Sequence, residues 1–311
     1  MFRARRASVF HGASRHGVEE PDRSRDRQPE PAITLAAPIP CDAALPLQPR
    51  ARGAVRLSAK AGTGGSRIDG LRQQGSLKCL FPRRDGPTLD AVLVNTAGGL
   101  TGGDAFSIAA RARAGSALTL TTQAAERAYA ARSGETARIV TRLDVASGAR
   151  MTWLPQETIL FEGCALKRRL TVTLAPDATA LVVEPLVFGR RAMGEELRAA
   201  RLDDRIEIRR DGKPLYLDAM RLSGDIAAQL DRPHVAAGAR ALVSLVHVGP
   251  DAEARLAPLR AMLPRSGGVS LIGDDVLALR LLAPDSHALR QVLIPALTLL
   301  TGNPLPRCWM T

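Results

Sequence analysis

The segment Gly115-Ser-Ala-Leu-Thr-Leu-Thr-Thr-Gln123 is followed 33 residues later by the similar segment Gly148-Ala-Arg-Met-Thr-Trp-Leu-Pro-Gln156. Both segments begin with glycine, place an apolar residue and a threonine at the same offsets, and end with glutamine. A third segment, Asp177-Ala-Thr-Ala-Leu-Val-Val-Glu-Pro185, repeats the apolar rhythm 29 residues after the second. A fixed period of about 30 residues, with one strand in each repeat, is typical of stacked β-layers that bury their apolar faces against their neighbours. The repeat therefore predicts a mainly β fold with a stacked-strand architecture.

The chain divides into two parts around these repeats. Residues 1–50 are rich in Arg, Pro, Ser and Ala and have no hydrophobic period, so they are predicted to form a disordered extension. Residues 51–311 contain short strand-like runs separated by Gly or Pro, which predicts one β-rich domain.

Three features place the other elements of this domain. Alternating residues within 206–217 flank Asp211-Gly212, which predicts a β-hairpin. Apolar spacing predicts a helix over 251–263, and a second helix capped by Ser286 and running to about residue 300. The few helices are thus expected mostly near the C-terminus.

A glycine-rich loop, Asn95-Thr-Ala-Gly-Gly-Leu-Thr-Gly-Gly-Asp104, follows an apolar run. Four glycines within six residues predict a tight turn, because glycine tolerates positive φ. The loop does not match a phosphate-binding P-loop, since Gly103 is followed by the carboxylate Asp104 rather than by lysine. The dinucleotide-binding glycine spacing is also missing, so nucleotide binding is not expected here.

Composition narrows the class of protein. Among 311 residues, 45% are hydrophobic, which provides a core, and no apolar run approaches the roughly 18 residues of a membrane helix. The four cysteines are scattered, which argues against a zinc site or a disulfide framework and fits a reducing cytoplasm. The net charge of +12 favours an acidic partner, and the scarcity of aromatic residues (3%) favours a protein over a nucleic acid.

The sequence lacks the usual catalytic motifs. There is no Gly-x-Ser-x-Gly elbow and no His-Glu-x-x-His, and the five histidines are isolated from one another. His247, in the strand-like run 241–248, is expected to be a core histidine. One enzymatic alternative stays open, which is a hydrolase or transferase that uses Asp104 and Glu184 as an acid–base pair.

Four carboxylates are candidate cation ligands: Asp104, Glu126, Glu184 and Asp218. A charge inside or beside an apolar strand is costly unless it is paired, meets water or binds a cation. The plain interpretation is that these acids form ion pairs with the plentiful arginines. The functional interpretation is that they line a water-filled passage for a divalent cation, because spaced oxygen ligands hold such an ion weakly enough to release it.

Several ordered motifs between residues 51 and 311 resemble the UreD (UreH) family of urease accessory proteins. The motifs are Gly98 to Asp104, Thr121-Thr-Gln123, Arg127-Ala-Tyr129, Leu154-Pro-Gln-Glu157, Phe188-Gly-Arg190, Gly194-Glu195 and Leu305-Pro-Arg-Cys-Trp309. The resemblance implies a β-helix-like stack and a metallochaperone scaffold that catalyses no reaction itself. It implies a protein that matures the nickel centre of urease and binds apo-urease and a UreF–UreG-like complex. From composition, the protein is expected to be cytoplasmic and to bind neither nucleic acid nor membrane.

The same resemblance implies a tunnel that passes nickel transiently, with no tightly bound cofactor, and it carries the metal role to the four carboxylates. Glu126 departs from the family, which often has a small or hydroxyl residue there. A charge cluster after Gly189 predicts a protein-binding edge, and the apolar C-terminal group is expected to dock onto the domain or a partner. The candidate interface residues are Arg190, Arg191, Glu195 and Trp309.

Overall fold

The computed structural model describes residues 48–83 and 86–310, so the predicted extension at 1–50 lies almost wholly outside the described residues. Over the described ranges the chain forms seventeen strands and three α-helices. The strands are β1 (Arg52–Lys60), β2 (Arg67–Gly75), β3 (Leu77–Leu80), β4 (Leu89–Asn95), β5 (Ala105–Ala112), β6 (Ala117–Thr122), β7 (Glu126–Ala128), β8 (Ala137–Val145), β9 (Arg150–Leu154), β10 (Thr158–Leu160), β11 (Ala165–Leu174), β12 (Thr179–Phe188), β13 (Ala200–Arg210), β14 (Lys213–Gly224), β15 (Ala241–Val248), β16 (Gly267–Ile272) and β17 (Val276–Ala283). The helices are α1 (Ile226–Asp231), α2 (Ala252–Met262) and α3 (Ser286–Thr301).

The strands form two sheets, and successive coils of the chain add one strand to each sheet. The first has the order β14-β13-β11-β8-β5-β1-β2, and the second has the order β16-β17-β15-β12-β9-β6-β4-β3, with the short strands β7 and β10 attached beside β12. From β4 to β13 the chain passes back and forth between the sheets, and each strand pairs in parallel with its equivalent in the next coil. The predicted mainly β, stacked-strand architecture is confirmed.

The sequence repeat coincides with the coil. Leu118 pairs with Met151 and Thr119 pairs with Thr152 between β6 and β9, and Met151 in turn pairs with Ala180 on β12. Leu118, Met151 and Ala180 are all buried in the core between the sheets. Because equivalent positions stack directly, each apolar row of one coil continues into the next.

A second apolar cluster covers the outer face of β12, β15 and β17. The helices α2 and α3 supply Leu259, Leu289, Leu293 and Leu297 to this cluster, which also contains Trp309. The strand β15 is therefore buried on both faces, and all eight of its residues are buried. No helix within the described ranges is long and apolar enough to cross a membrane.

The helix predictions hold with changes at the ends. The helix α3 begins where Ser286 predicted, but the cap is Asp285, whose carboxylate accepts the N–H of Ala288. It ends at Gly302, which adopts the left-handed conformation (φ 63°). The short helix α1 was not predicted, because six residues are too few to show a helical period.

The predicted hairpin is the pair β13–β14, and it is longer than the sequence pattern indicated. Asp211 and Gly212 both have positive φ (48° and 73°), as a tight hairpin turn requires. The alternating pattern lies within 206–217, but β14 continues to Gly224, so Asp218 lies within the strand. It faces the core side because it pairs with the buried Ile206.

The glycine-rich loop turns the chain from β4 into β5, and Asp104 fixes it. One carboxylate oxygen of Asp104 accepts the N–H of Ala51 at 2.7 Å and the other accepts the N–H of Thr101 at 2.8 Å. Gly99 has φ 152° and a Cβ there would lie 2.3 Å from the Tyr129 ring, so this position needs glycine. Asp104 is buried, and both of its oxygens serve backbone donors.

We expect Asp104→Asn to lower the free energy of unfolding by about 1–3 kcal/mol, because an amide has one acceptor oxygen where the carboxylate has two. Urea unfolding followed by circular dichroism measures this loss. Asp144→Asn is the matched control, since Asp144 is exposed on β8. Equal stability of the two variants would contradict the structural role of Asp104.

Candidate functional site

A cavity of about 290 Å³ lies between the two sheets, and we call it the interior cavity. Its charged lining residues include Glu126 on β7, Arg168 on β11, Glu184 on β12 and Asp204 on β13. Each of these side chains stands at the inward position of its strand, in phase with buried apolar neighbours. In-register stacking therefore collects polar residues that are far apart in sequence.

Arg168 is the centre of the polar group. Its Nε and one terminal nitrogen donate to the two oxygens of Asp204 at 3.1 and 2.6 Å. The other terminal nitrogen lies 2.8 Å from Oε2 of Glu184 and 3.0 Å from the hydroxyl of Thr158. Oε1 of Glu184 accepts the indole N–H of Trp153 at 2.7 Å.

Two buried carboxylates share one guanidinium in this group. Burial raises the pKa of Glu184, the charge of Arg168 opposes the rise, and the charge of Asp204 adds to it. Burial alone would lower the pKa of Arg168, but Asp204 and Glu184 together raise it. The two carboxylates and the single guanidinium of this group carry a net charge of −1 when all three are ionised, while Arg127 and Arg169 also line the cavity.

Glu126 lines the same cavity beside the glycine-rich loop. Its carboxylate accepts hydrogen bonds from the side-chain amide of Asn95 (3.0 Å) and from the backbone N–H of Arg127 (3.0 Å). Burial raises the pKa of Glu126, and the Asn95 hydrogen bond opposes this rise. Glu126 pairs in register with Thr158, which connects it to the Arg168 group.

Asp218 does not line the cavity, but it is linked to Glu184 through polar residues of the second sheet. Across the second sheet, Glu184 pairs with Ser244 and Ser244 pairs with Arg280. Asp218, on the opposite sheet, accepts a hydrogen bond from Ser244 at 3.1 Å and forms an ion pair with Arg280. A row of polar groups thus continues from the interior cavity towards the middle of β14.

Asp104 does not join the other three candidate ligands. It is not among the cavity-lining residues, and both of its oxygens accept backbone N–H groups. The structure therefore gives no support to an acid–base pair of Asp104 and Glu184. Within the described ranges, no group of three or more His, Cys, Asp or Glu residues is arranged to hold a metal ion.

The predicted interface cluster forms a surface with two aromatic residues, and we call it the ladder surface. Arg190 pairs with Glu195 at 3.0 Å, and this hydrogen bond lowers the pKa of the Glu195 carboxyl. The Arg190 guanidinium lies 4.2 Å from the ring centroid of Phe161, which meets Tyr129 edge to face at 4.9 Å. Arg191 and Met193 extend from the adjacent short 3₁₀ turn, and Met193 is 75% exposed.

Trp309 has a different position from the ladder surface. Its indole is fully buried, donates to the carbonyl of Leu154 at 3.1 Å and lies beside the guanidinium of Arg290. Its own carbonyl accepts a hydrogen bond from Arg290 at 2.7 Å. The C-terminal group therefore docks onto its own domain, and Trp309 offers no surface to a partner.

A larger cleft of about 530 Å³ lies elsewhere, against β15 and the end of α3. His247 lines it and is buried, with Nε2 at 2.8 Å from Asp251, as expected for a core histidine. Asp251 also accepts a hydrogen bond from Arg255 at 3.0 Å. This cleft brings together none of the four predicted carboxylates.

Arg168 and Asp204 were missed from the sequence, although a signal exists. Arg168 interrupts the alternation of Leu166, Leu170 and Val172, and Asp204 interrupts that of Leu202 and Ile206. A charge at an inward position of an alternating strand predicts a buried ion pair.

The fold and the interior cavity define a two-sheet β-solenoid that encloses a charged site between its sheets. A family model described as UreD urease accessory protein matches residues 51–310. The chain is 56% identical over 263 residues to the urease accessory protein UreD of Roseobacter denitrificans. The aligned region covers 84% of this chain and 96% of the relative. It is 58% identical over 244 residues to that of Ruegeria pomeroyi (78% and 95%) and 46% identical over 269 residues to that of Azorhizobium caulinodans (86% and 99%). The chain belongs to the UreD urease accessory protein family.

The raised pKa of Glu126 predicts a pH dependence of stability. Because the folded chain keeps the Glu126 proton more tightly than the unfolded chain, stability falls as the pH rises from the ordinary value of 4.5 towards the raised pKa. We expect Glu126→Gln to make this fall in melting temperature shallower. Differential scanning calorimetry over a pH series that rises from 4.5 measures it. Glu253→Gln, at an exposed position on α2, should follow the wild type, and identical slopes for all three proteins would contradict the burial of Glu126.

Proposed function

We propose that this chain is a non-enzymatic scaffold for urease maturation that guides nickel through the interior cavity to apo-urease. Membership of the UreD family supports the role in urease maturation. The observation that carries the passage is the excess of carboxylate over guanidinium around Arg168, inside a cavity between the sheets. Carboxylate oxygens suit a divalent cation that must bind and then leave.

In the proposed route the ion binds first at Glu126 and then at Glu184 and Asp204, the two carboxylates around Arg168. Glu126 lies beside the glycine-rich loop, Glu184 and Asp204 lie deeper, and the Ser244–Asp218–Arg280 cluster continues the polar row. Apo-urease and a UreF–UreG-like complex are the proposed partners at the two ends, and the cytoplasm is the proposed compartment. The nickel ion is cargo in this proposal, and no tightly bound cofactor is required.

The passage predicts that Glu184→Gln, which is nearly isosteric, lowers the nickel content and the activity of co-expressed urease severalfold. The substitution removes the net negative charge that draws the ion inwards while Arg168 keeps its bond to Asp204. Elemental analysis of purified urease measures nickel, and a pull-down verifies that the complexes still form.

Asp203→Asn is the matched control for this experiment, because Asp203 lies beside Asp204 in sequence but pairs with Arg169 instead of Arg168. It should leave urease fully loaded. Normal nickel in urease matured with Glu184→Gln would refute the passage and reduce Glu184 to a structural ion pair.

The ladder surface is the proposed docking edge for a protein partner. It combines an exposed Met193 with Arg191 and with Arg190 stacked on Phe161, a mixture of apolar and basic groups that suits an acidic protein surface. This edge adjoins the interior cavity, because Tyr129 donates to the carbonyl of the cavity-lining Gly98. A partner docked there would stand close to the cation route.

The double variant Arg191→Glu, Met193→Asp should lose a partner in pull-downs, because both residues are exposed and both changes oppose an acidic surface. Arg142→Glu, which repeats the charge reversal of Arg191→Glu at an exposed position on β8, is the control and should keep every partner. Unchanged capture of urease and of both accessory partners by the double variant would exclude the ladder surface as the docking edge.

A further inference from the structure

The guanidinium of Arg168 lies between the carboxylates of Glu184 and Asp204. A cation in the cavity would need these same carboxylates as ligands. All four carboxylate oxygens of Glu184 and Asp204 are engaged: both oxygens of Asp204 accept hydrogen bonds from Arg168, Oε1 of Glu184 accepts one from Trp153, and Oε2 of Glu184 forms an ion pair with Arg168. Arg168 extends from the first sheet and Glu184 from the second, so the guanidinium also joins the two sheets. A divalent ion has to displace Arg168 to coordinate these oxygens.

We propose that Arg168 is a tethered cationic gate for the interior cavity, an inference that rests on the proposed passage of nickel. In the closed state the guanidinium takes the place of the ion between Glu184 and Asp204. When a divalent cation arrives, the carboxylates of Glu184 and Asp204 coordinate it, and the guanidinium of Arg168 is displaced from between them.

The gate accounts for two requirements that a row of carboxylates alone does not meet. When no ion is present, the guanidinium compensates two buried charges that would otherwise destabilise the fold. When an ion is bound, Arg168 remains beside it on its tether and repels it, so the ion is not held permanently. Arginine suits this role because it keeps its charge and bonds to carboxylates through a planar fork.

The first test removes the gate and leaves both acids. The full-length Arg168→Gln variant is dialysed against Ni²⁺ alone and its bound nickel is measured. We expect its affinity for Ni²⁺ to rise by roughly tenfold or more over the wild type, because two uncompensated carboxylates face the cavity. Nickel delivery to urease should fall at the same time, since the ion is retained. Arg205→Gln is the control, because Arg205 pairs with Glu207 rather than with the carboxylates of the cavity.

A second variant separates the gate from net charge and from loss of folding. Arg168→Gln combined with Asp204→Asn has the same net charge as the wild-type group, but Oε2 of Glu184 is no longer held by a guanidinium. We expect it to fold, as circular dichroism will verify, and to bind Ni²⁺ severalfold more tightly than the wild type. A purely structural ion pair would change the melting temperature and leave Ni²⁺ affinity as it was.

The outcomes distinguish the gate from the passage. If the folded double variant binds Ni²⁺ no better than the wild type, the gate is overturned, and the passage still stands provided that Glu184→Gln starves urease of nickel. If Glu184→Gln leaves urease fully loaded, the passage fails and the gate fails with it. Tighter Ni²⁺ binding by the double variant, with nickel-poor urease from Glu184→Gln, supports both.

Discussion

In-register stacking of parallel strands sets Arg168 of β11 opposite Asp204 of β13, and a slip of one residue in either strand would turn the charged side chain of that strand to the outer face. Parallel pairing also sets Glu126 opposite Thr158, and the antiparallel pairing of β12 with β15 sets Glu184 opposite Ser244. The site is therefore a product of coil geometry and not of any contiguous motif. Rows of leucine and valine above and below hold the register, because each inward position stacks on its equivalent in the next coil.

The charged group of Arg168, Glu184 and Asp204 interrupts an otherwise apolar core, and burying these charges lowers the stability of the fold. Moving a carboxylate out of water is unfavourable by several kcal/mol, and an ion pair recovers that only with good geometry and full hydrogen bonding. Arg168 meets the condition through three hydrogen bonds, two to Asp204 and one to Thr158, and an ion pair with Glu184. Even so, a core of similar volume without charges would be at least as stable, which indicates that stability alone does not account for two acids around one arginine.

The sequence predicted the fold better than the site, and the reason is the range of the interactions. The coil is encoded locally, by the recurrence of Gly115 and its neighbours at Gly148, so the stacked strands followed from spacing alone. The hairpin turn at Asp211-Gly212 was equally local. Glu184 was found because a charge in an apolar strand is visible in one segment. Its partners were not, because Arg168, Trp153 and Asp204 meet it only through pairing between coils, which one sequence does not display.

Asp104 shows the opposite error, in which a local signal suggested a ligand and the structure assigned a backbone role. A carboxylate that closes a glycine-rich loop has unpaired N–H groups within reach, and Asp104 accepts two of them. Its oxygens are thereby removed from the cavity.

The choice of ligand atoms in the cavity bears on what kind of cargo it suits. None of the three cysteines in the described part of the chain lines the interior cavity, and burial raises the pKa of Cys79 and of Cys164 to about 12, so both thiols stay protonated. Thiolates would bind a borderline cation such as Ni²⁺ tightly, whereas carboxylate oxygens bind it more weakly. Tight binding by thiolates suits a site that stores a metal ion, and weaker binding by carboxylates suits a site that must release the ion. In the gate that we propose, the guanidinium of Arg168 strengthens this tendency, because it competes with the ion for the carboxylate oxygens without leaving the chain.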